Sequence, residues 1–65
     1  MKKEELLNLS YEEKVELIKE GKYLEVFVND ACISVRYDVA NQGYGLDRLR
    51  YDRDDDVREV ARQKR

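Results

Sequence analysis

The chain echoes itself at a fixed spacing. Laid over residues 42–52, residues 20–30 match at Gly21 and Gly43, Leu24 and Leu46, Glu25 and Asp47, and Asp30 and Asp52, every pair at one constant offset. The register runs on, because Asp30, Val35 and Arg36 recur as Asp52, Val57 and Arg58. A period in the low twenties marks supersecondary units that bury their apolar faces only by stacking on one another. Such arrays serve mainly to present a surface, so the spacing says more about architecture than about chemistry.

Size sharpens the problem of stability. A chain of 65 residues makes one domain, and a domain near this length buries only about 60% of its unfolded surface. The single Cys32 excludes an internal disulfide, and with no histidine a zinc site lacks its usual ligands. Helix packing, or a partner that includes a second copy of the chain, has to supply the rest. A lone cysteine and no apolar leader lead us to expect a reducing, cytoplasmic setting. No apolar run approaches the roughly 20 residues of a membrane span. Charged residues reach 43%, but apolar residues reach 42% and recur periodically, which favours a folded domain over disorder.

The helices can be read one by one. Residues 2–9 form a short entry helix, with Glu4 and Glu5 ahead of Leu6, Leu7 and Leu9. Ser10 and Glu13 then fit a capping box, the hydroxyl taking an orphan amide while the carboxylate reaches back. Tyr11, Val15 and Ile18, with Leu17 beside them, give that helix one apolar stripe. Gly21 ends it as a residue free to take positive φ, and Gly43 does the same for a later helix. Leu24, Phe27 and Val28 make a short amphipathic turn. Asn29 or Asp30 is expected to cap a helix through Val35, Val39 and Ala40. Tyr44 to Tyr51 forms a short helix with Leu46 and Leu49 inward. Asp52 is expected to cap the last helix, whose first turn carries Asp54, Asp55 and Asp56 where the helix dipole favours them.

A competing pattern lies in residues 23–40, where Ile33, Val35, Tyr37 and Val39 alternate like a strand. The repeat decides against a hairpin, because the matching second copy around Val57, Val60 and Ala61 is plainly helical. The expected fold is therefore all-α: about six helices, alternately short and longer, in a single domain over residues 1–65. Residues 1–21 form an atypical N-terminal cap repeat, followed by repeats at 22–43 and 44–65.

The run Asp30, Val35, Arg36, Val39, Ala40, Gln42, Gly43, Tyr44, Leu46 and Asp47, partly echoed by Asp52, Val57, Arg58, Val60 and Ala61, resembles HEAT-type repeats and the related short bacterial leucine-rich-variant repeats. The resemblance covers residues 20–62, and residues 8–20 only loosely. It implies a right-handed, α-solenoid-like stack. It also implies that Asp30, Arg36, Asp52 and Arg58 form a hydrogen-bonded ladder between units, with Gly21 and Gly43 as helix stops. Glu13 stands where the other copies have Val35 and Val57, so the first unit has lost the valine–arginine pair, as terminal repeats do when one face is wetted. About two and a half repeats fall short of the roughly three needed for independent stability, which again points to unusual caps or to association.

No catalytic constellation is visible. Without histidine there is no Ser–His or Cys–His pair. Cys32 reads as a small residue packed at a helix start rather than an activated thiol. The acids at Asp52, Asp54, Asp55 and Asp56 lack the glycine and closing glutamate of a calcium loop. Gly43 and Gly45 lack the third glycine of a phosphate loop, so Gly43 reads as a stop and Gly45 as a close-packing or entry position. We expect no cofactor, no metal and no enzymatic activity.

The tyrosines and arginines are the better lead. Six of the seven arginines (Arg48, Arg50, Arg53, Arg58, Arg62, Arg65) fall in the last third. Tyr37, Tyr44 and Tyr51 stand seven apart, and Tyr44, Arg48 and Tyr51 follow the i, i+4, i+7 spacing of one helical face. Tyrosine and arginine are enriched at interface hot spots. Two readings stand: these rings cover Leu46 and Leu49, or Tyr37, Tyr44, Arg48, Arg50 and Tyr51 meet a partner. The leading expectation is a non-enzymatic protein–protein interaction module, with self-association as a further route. A small phage or mobile-element inhibitor of a host complex is also compatible. Nucleic-acid backbone binding through the arginine-rich third is a third reading, but that third also carries six acids, against the strongly basic footprints such binding needs.

Overall fold

A computed structural model describes residues 2–64. Among these the chain forms six helices and no strand: α1 (Lys3–Leu7), α2 (Tyr11–Lys19), α3 (Leu24–Phe27), α4 (Ile33–Asn41), α5 (Leu46–Leu49) and α6 (Asp55–Gln63). The fold is all-α, with short and nine-residue helices alternating. The long helices α2, α4 and α6 begin at Tyr11, Ile33 and Asp55, and the short helices α3 and α5 at Leu24 and Leu46, each at the spacing seen in the sequence.

Local chemistry explains these bounds. At α2 the Ser10 hydroxyl accepts the Glu13 amide at 3.2 Å, and the Glu13 carboxylate accepts the Ser10 amide at 3.2 Å. That reciprocal cap satisfies two donors a helix start otherwise leaves open. At the other end Gly21, with φ 77°, donates to the Ile18 carbonyl while Lys22 donates to Leu17. Gly43, with φ 83°, repeats this against Ala40, with Tyr44 donating to Val39. Both are the paired bonds of a Schellman stop, which needs a residue at ease with positive φ.

Two helix starts differ from expectation. The residue capping α6 is Asp54, whose carboxylate accepts the Asp56 and Val57 amides. Asp52 lies two residues earlier and accepts the Asp54 amide instead. Likewise α4 is capped at Cys32, and Asp30 accepts the Cys32 amide. Each of these equivalently placed aspartates thus closes a tight turn ahead of the helix. Cys32 itself is exposed rather than packed.

Helix α4 is the hub of the packing and touches α2, α3, α5 and α6. The core gathers Leu6, Ile18, Phe27, Val35, Val39, Leu49 and Val57, all essentially without solvent contact. Several occupants recur at the sequence spacing, notably Phe27 with Leu49 and Val35 with Val57. The outer long helices break the pattern with charge. Glu13 is exposed where α4 and α6 bury Val35 and Val57, and α6 exposes Asp55 and Glu59 where α4 has Ile33 and Tyr37. A radius of gyration of 10.8 Å is close to the ~11 Å expected of a compact chain of this length. No helix among the described residues is long and apolar enough to cross a membrane.

Candidate functional site

Two aspartates organise the polar interior, and they do so in the same way. Asp30 accepts Lys14 Nζ at 2.8 Å on one carboxylate oxygen and the Cys32 amide at 2.8 Å on the other. Asp52 accepts Arg36 Nε at 2.8 Å and Nη2 at 3.2 Å, with the Asp54 amide at 2.9 Å. In both clasps the cation precedes its aspartate by the same stretch of chain. A second bond repeats as well: Arg36 Nη1 donates to the Asp30 carbonyl at 2.8 Å, and Arg58 Nη1 to the Asp52 carbonyl at 2.6 Å.

Arg36 and Asp52 therefore meet, whereas the partner of Asp30 is Lys14. Lys14 is the member that a search for a valine–arginine pair overlooks. It sits one repeat length before Arg36, so spacing alone points to it once the residue type is relaxed from arginine to any cation. No aspartate follows Arg58 in the sequence. It pairs instead with Asp55, one turn back on its own helix.

These clasps lie largely out of solvent contact. Lys14, Asp30 and Arg36 are buried, and no buried side-chain nitrogen or oxygen among the described residues lacks a partner. Burial by itself would raise the Asp52 carboxyl, but the Asp54 amide and the Arg36 guanidinium outweigh it and hold the group below the ordinary carboxylate value of 3.8. The charge on Asp52 is thus committed to structure.

Over the Arg36–Asp52 clasp lies a cleft of about 350 Å³, bordered by the loops after α3 and α5. Arg48, Tyr51 and Arg53 line its mouth. Tyr51 is 79% exposed, and the Arg50 guanidinium carbon lies 5.7 Å from its ring centre, within the range of a cation–π contact. Arg48, Arg50 and Arg53 form no ion pair with a described residue.

The expected face of Tyr44, Arg48 and Tyr51 is only partly assembled. Helix α5 spans four residues, so Tyr44 precedes it and Tyr51 follows it, and the three do not share a helical face. Arg48 and Tyr51 come together at the cleft, whereas Tyr44 does not line it. Tyr37 and Tyr44 are partly exposed elsewhere, at 37% and 40%. Helix α5 starts only after Gly45, its left-handed N-cap at φ 66°, which leaves Tyr44 outside it; a side chain at Gly45 is excluded, because its Cβ would fall 2.7 Å from Val28 Cγ2. Tyr23 adopts the same left-handed turn, φ 58°, at the start of α3.

Tyr11 also departs from the apolar stripe assigned to it. It is exposed, and its hydroxyl donates to Asp38 at 2.7 Å, far along the chain on α4. The bond to Asp38, then burial and the Asp38 charge, raise the phenol above its ordinary value.

Among the described residues no group of three or more acidic or cysteine side chains is placed to hold a metal. Compared with known proteins, the chain matches no family model, no curated protein and no solved structure.

Proposed function

We propose that the chain is a non-enzymatic protein-binding module of HEAT-like repeat type, whose contact surface is the Arg48–Tyr51 edge. One observation carries the reading. A tyrosine ring stands 79% exposed, the most exposed of the large hydrophobic side chains among the described residues, at a cleft it shares with Arg48 and Arg53, neither of which forms an ion pair with a described residue. Such a ring and guanidinium pair gains most when desolvated by a partner. Below it, Asp52 and Arg36 are consumed by each other and by backbone groups, which leaves them a positioning role.

A different protein suits this surface better than a second copy stacked end to end. Glu13 on α2 puts charge where α4 and α6 bury a valine. In this reading the protein works in the cytosol. Tyr37, Tyr44 and Arg50 stand as secondary contacts.

The test is alanine substitution at Tyr44, Arg48 and Tyr51, with partner capture scored beside circular dichroism. Loss of capture in Arg48→Ala and Tyr51→Ala with helicity retained is expected. Undiminished capture by all three variants would overturn the proposed face.

A further inference from the structure

We infer that the cleft bounded by Arg48, Tyr51 and Arg53 receives a carboxylate-bearing, acidic segment of the protein partner. The inference rests on the interaction reading above and gives that partner a chemistry.

The floor of the cleft is already neutralised. Asp30 and Asp52 line it, yet each has both carboxylate oxygens engaged by a cation and a backbone amide. Arg48 and Arg53 at the mouth form no ion pair with a described residue. Although the Arg53 charge also acts on Asp52, the lining sets Arg36, Arg48 and Arg53 against only Asp30 and Asp52, so the balance of the cleft is positive. A carboxylate is the group these surroundings complement. Arg36 shows the preferred geometry within the same cleft, gripping Asp52 through Nε and Nη2, the two-point hold that guanidinium groups give carboxylates. Tyr51 adds a hydroxyl donor and an exposed ring against which the methylenes of a glutamate pack.

The internal repetition supports a dedicated site. One repeat earlier than Arg48, Tyr51 and Arg53 stand Val26, Asn29 and Ala31. The framework residues Asp30 and Asp52 keep their identity across that shift, while the mouth changes from neutral to cationic. Charge at this edge therefore belongs to the second unit and is not demanded by the fold.

An acidic peptide fits better than a nucleic acid. Exposed Asp47, Asp55 and Asp56 lie on the neighbouring elements α5 and α6, and the whole chain carries a net charge of −2. A phosphate backbone presents charge along its whole length and would meet those acids, whereas a short acidic segment needs only the mouth.

The experiment is a nitrogen-15 amide titration of the intact chain at low salt. The probes are a blocked oligoglutamate peptide, the matching oligolysine and a single-stranded oligonucleotide. Oligoglutamate should move the amides of Arg48, Tyr51 and Arg53 while oligolysine does not. The double variant Arg48→Gln with Arg53→Gln should weaken it by about tenfold or more, the loss expected for two rim charges. No movement at these amides, or tighter binding of the oligonucleotide there, would overturn the inference. The two readings fail differently. If partner capture is lost in Tyr51→Ala but unchanged in the double glutamine variant and under excess oligoglutamate, the interaction face stands and its acidic partner does not.

Discussion

Replacing Asp52 with alanine should come close to unfolding the protein. The Arg36 and Asp52 side chains retain only 10% and 11% of their exposure, so truncating Asp52 strands a guanidinium that stays largely out of water. Removing one member of a buried pair costs about 3–5 kcal/mol, and because this pair floors an open cleft we take the lower end, about 3 kcal/mol. Losing the acceptor of the Asp54 amide adds about 1 kcal/mol. At about 0.05–0.15 kcal/mol per residue, a chain of this length has roughly 3–10 kcal/mol in all. The sum is therefore a large part of the total. Urea unfolding followed by circular dichroism should show it directly: with a slope near 1 kcal/mol per molar for so small a protein, the midpoint falls by about 3–4 M or the folded baseline disappears. Asp52→Asn, which keeps an acceptor but not the charge, should lose less. Arg36→Met combined with Asp52→Ala should recover part of the loss, since no buried cation remains. If Asp52→Ala stays within about 1 kcal/mol of the parent, the clasp is a surface contact and the reasoning fails.

The other predictions concern turns and titrations. Gly45→Ala should destabilise by about 2 kcal/mol or more, since a side chain there meets both left-handed strain and the Val28 methyl, whereas Gly21→Ala, with open space around it, should carry the strain alone, about 1 kcal/mol; thermal melts that rank the two equally would refute this. Because the folded Asp52 carboxyl lies below its ordinary value of 3.8, the native state binds fewer protons than the unfolded one in that range. Its stabilisation is therefore complete above that value and is lost as pH falls through the lowered one. Urea midpoints across the acid range should fall steeply in the parent and less so in Asp52→Asn. Tyr11 should ionise later than a free tyrosine in an ultraviolet alkaline titration, and Asp38→Asn should return it toward 10.0. The sign is the reverse of that for Asp52: the stabilisation is present below the ordinary phenol value and lost as pH climbs through the raised one. No change in the Asp38→Asn titration would contradict the assignment.

Much of the helical framework was legible because it is written locally. Ser10 with Glu13, and the glycines at 21 and 43, act on groups within a few residues, so residue type and spacing suffice. The cap positions of α4 and α6 lie two residues beyond Asp30 and Asp52, which sequence alone does not distinguish, because an aspartate that caps a helix and one that closes the preceding turn use the same side-chain acceptor. Lys14 was hidden by its chemistry rather than its place, since its ammonium does at Asp30 what Arg36 does at Asp52. Tyr11 and Asp38 were beyond reach of any local pattern, their contact depending on how α2 lies against α4. The tyrosine–arginine face was half legible. Its i, i+4, i+7 spacing presumes a continuous helix, but α5 starts only after the left-handed turn at Gly45, which leaves Tyr44 outside it, and only Arg48 and Tyr51 meet.

The central claim is that the partner docks at the Arg48–Tyr51 edge, and site-specific photocrosslinking tests it most directly. With a benzophenone amino acid at position 29, an exposed position in the lining of the same cleft, or, separately, at position 11 on the α2 surface, the account predicts a discrete protein adduct from position 29 and none from position 11. Adducts from position 11 with none from position 29 would contradict it.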